Sequence, residues 1–208
     1  CWLSGYDAWS FYVHQCLVVD ANGNLFWFGR GIDVAGALMT TDLTADDVLN
    51  YPDDCVMSPH SHPMQYLVQI LQQRGLDRGK IGVEKDNYYF SARAYETLQQ
   101  GLPDAEFIDA TALVNWQRAV KSTQEIEYMK SAGKVIEKVY ERVMQVVHPG
   151  MRKNELAAEI QYAATLGTDD AFGDYTAIVP LIGAGEEAAA WDACTGKQDE
   201  EHCCIGFG

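Results

Sequence analysis

The run Ser10-Phe11-Tyr12-Val13-His14-Gln15-Cys16-Leu17-Val18-Val19-Asp20-Ala21-Asn22-Gly23-Asn24-Leu25-Phe26-Trp27-Phe28 reads as two strands joined by a tight turn. Residues 10–19 alternate in character and are rich in aromatic and β-branched side chains, which fit a pleated, half-buried surface. Asn22-Gly23 supplies the positive φ that a short connection needs. Residues 25–28 return as the second strand, so a β-hairpin is expected at the start of the chain.

Outward from the hairpin, the pattern changes to alternating helices and strands. Residues 63–74 form a helix, with Pro63 suited to the first helical position and Gly75 to the C-terminal cap. Residues 80–84 make a short strand, residues 91–100 a helix closed by Gly101, and residues 106–109 another strand. That alternation implies an α/β domain over residues 1–110. Residues 112–119 read as a connection, within a linker over 111–122. Ser122-Thr123-Gln124-Glu125 is a capping box: the serine oxygen accepts a free backbone N–H and the glutamate reaches back. Ile126, Met129, Ile136, Val139, Tyr140, Val143 and Val147 then follow at helical period, giving one apolar stripe that ends at Pro149-Gly150. A further helix over 154–166 stops at Gly167, and residues 176–182 look like a strand.

The chain has 208 residues and a formal net charge of -15. So acidic a surface repels nucleic acid and anionic membranes, and it fits a partner that is a small molecule. No apolar run approaches the roughly 20 residues of a membrane helix. No signal peptide is visible, and the first residue is Cys1 rather than Met, as expected of a cut N-terminus; a lost leader stays open. The six cysteines are scattered without disulfide spacing, which points to a reducing cytoplasm.

Several words of sequence carry a family likeness. Residues 2–15, beginning Trp2-Leu3-Ser4-Gly5-Tyr6-Asp7, are one. Tyr51-Pro52-Asp53, His62-Pro63-Met64 and Asp86-Asn87-Tyr88-Tyr89-Phe90-Ser91 are others. Leu113-Val114-Asn115-Trp116-Gln117-Arg118-Ala119-Val120-Lys121-Ser122, Pro149-Gly150-Met151-Arg152-Lys153, Gly173-Asp174-Tyr175 and Ala177-Ile178-Val179-Pro180-Leu181 continue in order. Together they resemble the creatinase/prolidase superfamily, and within it the ectoine hydrolases, over residues 2 to about 190.

The resemblance implies a creatinase/prolidase-type α/β N-terminal domain followed by the first part of an α+β pita-bread catalytic domain, here residues 123–208. It implies a cytoplasmic homodimer in which one subunit's N-terminal domain edges the other's active site. It implies hydrolysis of a C–N bond other than a peptide bond, with a cyclic amidine such as ectoine opened to an acetylated diaminobutyrate. Two other outcomes stay open: a metal-dependent Xaa-Pro dipeptidase, and a non-catalytic remnant kept for dimerisation or binding. In ectoine hydrolases a Pro-His-Leu-Thr segment precedes the Trp-Asp pair, whereas here Ala190 runs straight into Trp191-Asp192. The histidine expected to serve as general acid/base is absent, and the tail from about 191 departs from the family. The chain is therefore expected to be a fragment, inactive alone and poorly stable beyond residue 123, with no catalytic residue, metal ligand or cofactor assigned.

Three residues are candidates for contact with substrate. Tyr12 and His14 are expected on the first strand of the hairpin, where His14, whose charge changes near neutral pH, either reaches a neighbouring subunit's substrate or is a half-buried polar strand residue. Arg30, between Gly29 and Gly31, has the planar fork that grips a carboxylate, set against a solvated arginine in a flexible turn. His60-Ser61-His62 lacks a nearby third ligand and is better read as lining a helix start. Cys194, His202, Cys203 and Cys204 lack paired zinc-site spacing. Gly183-x-Gly185-x-x-Ala188 matches a dinucleotide fingerprint by coincidence, because Pro180 interrupts its strand. Tyr88-Tyr89-Phe90 is expected to pack ahead of the following helix.

Overall fold

The computed structural model describes residues 2–8, 12–174 and 180–183. The chain divides into two compact units, Cys1–Arg118 and Ala119–Gly208. Among the described residues no helix is long and apolar enough to cross a membrane.

The first unit is built around a hairpin. β1 (Cys16–Val19) pairs antiparallel with β2 (Leu25–Arg30), Cys16 opposite Phe28 and Val19 opposite Leu25. Asp20 organises the turn: its Oδ1 accepts the backbone N–H of Asn22 at 2.8 Å and of Asn24 at 2.9 Å. Gly23 turns the chain at φ 85, a conformation that costs glycine nothing. α1 (Val34–Thr40) then carries the chain over to β3 (Val48–Tyr51), which lies parallel to β2 with Arg30 opposite Tyr51. A parallel neighbour requires such a crossover.

β2 is therefore central in the order β1-β2-β3, and its residues are buried on both faces. Side chains alternate across a strand. Phe26 and Phe28 enter one apolar cluster with Tyr51, Leu67, Leu71 and Leu98, while Trp27 enters another with Tyr6, Ala37 and Val48. α2 (Pro63–Gln73) and α3 (Ala92–Gly101) supply the helical side of the larger cluster, and Ile81 and Phe107 join it from β4 (Gly79–Val83) and β5 (Ala105–Asp109), a parallel pair. Gly101 lets α3 approach α2, since a Cβ there would sit 2.6 Å from the Val68 side chain.

In the second unit, α5 (Thr123–Val146) and α6 (Lys153–Leu166) pack together. The capping box is present: Ser122 Oγ accepts from the Glu125 N–H at 3.2 Å, and Glu125 accepts from the Ser122 N–H at 2.7 Å. Val139 and Val143 bury against Leu156, Ile160 and Ala163. Arg142 and Glu159 tie the two helices at 2.7 Å.

Several expectations need correction. The first strand is shorter than residues 10–19: it starts at Cys16, and Tyr12 to Gln15 are irregular, because alternation marks extended chain whether or not a partner strand is there. Arg30 is not in a flexible turn but ends β2. The connection over 112–119 contains α4 (Leu113–Gln117). The single stripe on α5 divides, since Val139 and Val143 are buried while Ile126, Met129, Ile136 and Tyr140 are exposed. Residues 180–182 carry no strand, and the rest of that expected strand, 176–179, lies outside the described residues. So do the Cys194–His202–Cys203–Cys204 set and all but Gly183 of the glycine pattern.

Candidate functional site

An open cleft of about 520 Å³ lies in the first unit, where the chain entering β1 meets the N-terminal ends of α2 and α3. Tyr51 forms part of its wall. Its ring is fully buried, and its hydroxyl donates to the His14 carbonyl at 2.9 Å, which fixes the irregular segment ahead of β1. Burial holds the Tyr51 hydroxyl well above the usual phenol range, so it stays protonated as a donor.

His62 occupies the N-cap of α2. Its Nδ1 accepts the Met64 N–H at 3.2 Å, and its own N–H donates to Gln65 Oε1 at 3.0 Å. This is a capping box with an imidazole in the place of a serine. His62 is only 7 % exposed. Burial, with help from His14 and Arg93, pushes its imidazole down to about 4, so the ring is neutral at pH 7. His14 stands beside it with ring centroids 4.7 Å apart, and burial lowers its basicity too.

Tyr12 and His14 thus both line the cleft, as does Arg93 from the first turn of α3. Arg30 does not. Its guanidinium makes two hydrogen bonds to Asp33, at 3.0 and 3.2 Å, with Asp53 at 3.8 Å. It also lies 5.8 Å from the Tyr12 ring centre. The Asp33 bonds hold the guanidinium firmly charged and occupy the fork that would grip a carboxylate. Of the aromatic triplet, Phe90 packs against Tyr95 at 6.3 Å. Tyr88 is fully exposed, and Tyr89 lines the cleft. Sequence reasoning missed Arg93, whereas the reading of His62 as part of a helix start is met by its place as the N-cap of α2. A signal for Arg93 existed: a cation in the first turn of a helix opposes the helix dipole.

Matches to known proteins extend over both units. Residues 1–120 match the model of the creatinase/prolidase N-terminal domain. The chain belongs to the creatinase/prolidase family. Residues 127–204 of this family member match metallopeptidase family M24. It is 46% identical to the ectoine hydrolase of Halomonas elongata over 96% of this chain and 52% of that protein. It is 41% identical to an uncharacterized hydrolase/peptidase of Sinorhizobium fredii over 90% of this chain and 48% of the relative. The chain thus spans about half the length of the curated relatives it matches. In fold it resembles the X-Pro aminopeptidase of Thermotoga maritima, with a TM-score of 0.66 at 18% identity over 97% of this chain and 50% of that one. A dipeptidase of Pyrococcus horikoshii gives the same TM-score at 20% identity. These pita-bread peptidases fix the architecture: an α/β N-terminal domain and part of an M24 domain. Among the described residues no group of three or more His, Cys, Asp and Glu side chains is placed to hold a metal ion. The metal that the metallopeptidase name implies therefore finds no ligand set among them.

Proposed function

We propose that the whole protein containing these residues is a hydrolase of the ectoine hydrolase type, opening a cyclic amidine by adding water across a C–N bond. The observation that carries this reading is the 46% identity to the Halomonas elongata ectoine hydrolase along 96% of the chain. Water attacks the amidine carbon, the ring C–N bond breaks, and the leaving nitrogen takes a proton, leaving an acetylated diaminobutyrate. The activity is proposed for the whole protein, and none is proposed for the 208 residues alone. Tyr12 and His14 are the residues of this chain offered to substrate. Arg30 has the lesser part of holding Tyr12 in place, since its fork is taken by Asp33. The working form is proposed to be a cytoplasmic homodimer.

The test is a substrate panel on the purified whole protein: ectoine, hydroxyectoine, creatine and a Xaa-Pro dipeptide, with products followed by NMR. Ectoine disappearing in step with one acetylated diaminobutyrate is the expected result. Cleavage of the dipeptide with ectoine untouched would overturn it.

A further inference from the structure

The cleft has a chemical bias of its own. The chain carries 30 acidic and 15 basic residues, yet no aspartate or glutamate is among the described residues lining this cleft. Its charged lining group is Arg93, whose one described hydrogen bond is a long contact of 3.5 Å to the Pro59 carbonyl. Arg93 forms no ion pair among the described residues. It sits in the first turn of α3, where the helix dipole disfavours a cation, so an anion in front of it would relieve that conflict.

His62 supplies an independent observation. Because its Nδ1 accepts the Met64 N–H, the neutral ring must carry its proton on Nε2. That Nε2–H finds no hydrogen-bond partner among the described residues, although the side chain is 7 % exposed and lines the cleft. A buried donor left unpaired costs free energy, and an acceptor in the cleft would satisfy it. Two helix N-termini, α2 at Pro63 and α3 at Ala92, add partial positive charge at the same place. Tyr12, Val56, Met57 and Tyr89 add apolar and aromatic surface to the lining, beside the hydroxyls of Ser58, Ser61 and Ser91.

We propose that this cleft is a binding site for a small organic carboxylate, its carboxylate held by Arg93 and the His62 Nε2–H and its body laid against Tyr12 and Tyr89. The site belongs to the first unit and shares Tyr12 with the residues offered to substrate above; the carboxylate assignment rests on the lining and not on that reaction. The described lining offers no carboxylate to receive an amidinium or ammonium group, so of a zwitterionic substrate only the carboxylate end would face it.

Three ring probes of one size test the assignment by calorimetric titration of the full 208-residue chain: benzoate, neutral benzamide and cationic benzamidine. Benzoate is expected to bind at least ~10-fold more tightly than benzamide, as a charge-assisted pair should, with no binding of benzamidine. Arg93→Gln is expected to remove that preference while the far-UV circular dichroism stays unchanged. Arg78→Gln, a surface arginine paired with Asp77, is expected to leave it intact. The His62 Nε2 nitrogen resonance should move when benzoate is added. Failure of benzoate to bind, equal affinity for benzoate and benzamide, or full benzoate affinity in a folded Arg93→Gln chain would each overturn the proposal.

Discussion

The two units use their apolar residues in different ways. In the first, β2 is buried on both faces, with Phe28 wholly buried and helices, strands and the segment around Tyr6 contributing to its two clusters. In the second, a 24-residue helix buries only Val139 and Val143, both in its C-terminal half. Its N-terminal half exposes Ile126, Tyr128, Met129 and Ile136. Helix propensity and a capping box start a helix, but tertiary burial supplies most of its stability. The contrast teaches that an identical sequence signal, an apolar stripe at helical spacing, reports a capacity for burial and not burial itself.

The sharpest way to break that contrast is to remove the centre of the first unit. Phe28→Ala is expected to destabilise it by about 3–5 kcal/mol, read as a lowered urea midpoint of tryptophan fluorescence. Ile136→Ala, an exposed position on α5, should leave that midpoint in place. Equal effects would mean that the two faces are packed alike.

A second probe is pH. The His62 imidazole falls from its ordinary 6.5 to about 4 on folding. Below 6.5 the unfolded chain binds the proton that the folded chain refuses, so stability is fully present above that value and is lost as pH falls toward 4. The groups facing the ring are His14 and Arg93, both of which oppose its protonation. His62→Asn keeps a capping acceptor and is expected to weaken this pH dependence, measured as urea midpoints between the two values. An unchanged profile would remove His62 from the account.

Smaller effects separate local from tertiary support in the second unit. Ser122→Ala should cost about 1 kcal/mol by deleting the cap of α5, seen as lost helicity at 222 nm on heating. Lys138→Ala, which breaks an exposed pair with Glu141 at 2.9 Å, should leave the melting curve unmoved.

Much of this fold was legible because its signals are local. Asn22-Gly23 marked the turn, Pro63 and Gly75 bracketed α2, and Ser122 with Glu125 started α5, each through backbone chemistry acting within a few residues. β3 was not legible. Its four residues, Val48 to Tyr51, are too few to show a period, and their strand character comes from pairing with β2 across α1. α1 itself is seven residues with Gly36 inside, a weak helical signal. At the cleft, His14 was legible as a residue type but its position ahead of β1 was not. The pairing of His14 with His62 joins residues 48 positions apart, which no spacing rule reaches. Arg30 looked available because its neighbours are glycines; Asp33, three residues on, captures it.

Hydrogen exchange resolved by peptide across the full 208-residue chain tests the central contrast most directly. Amides of residues 26–28 and 67–71 should exchange near the global unfolding limit, while those of residues 123–136 should exchange faster by orders of magnitude, through local opening. Equal protection of the two segments would contradict the account, because it would show that the N-terminal half of α5 is held by packing of its own.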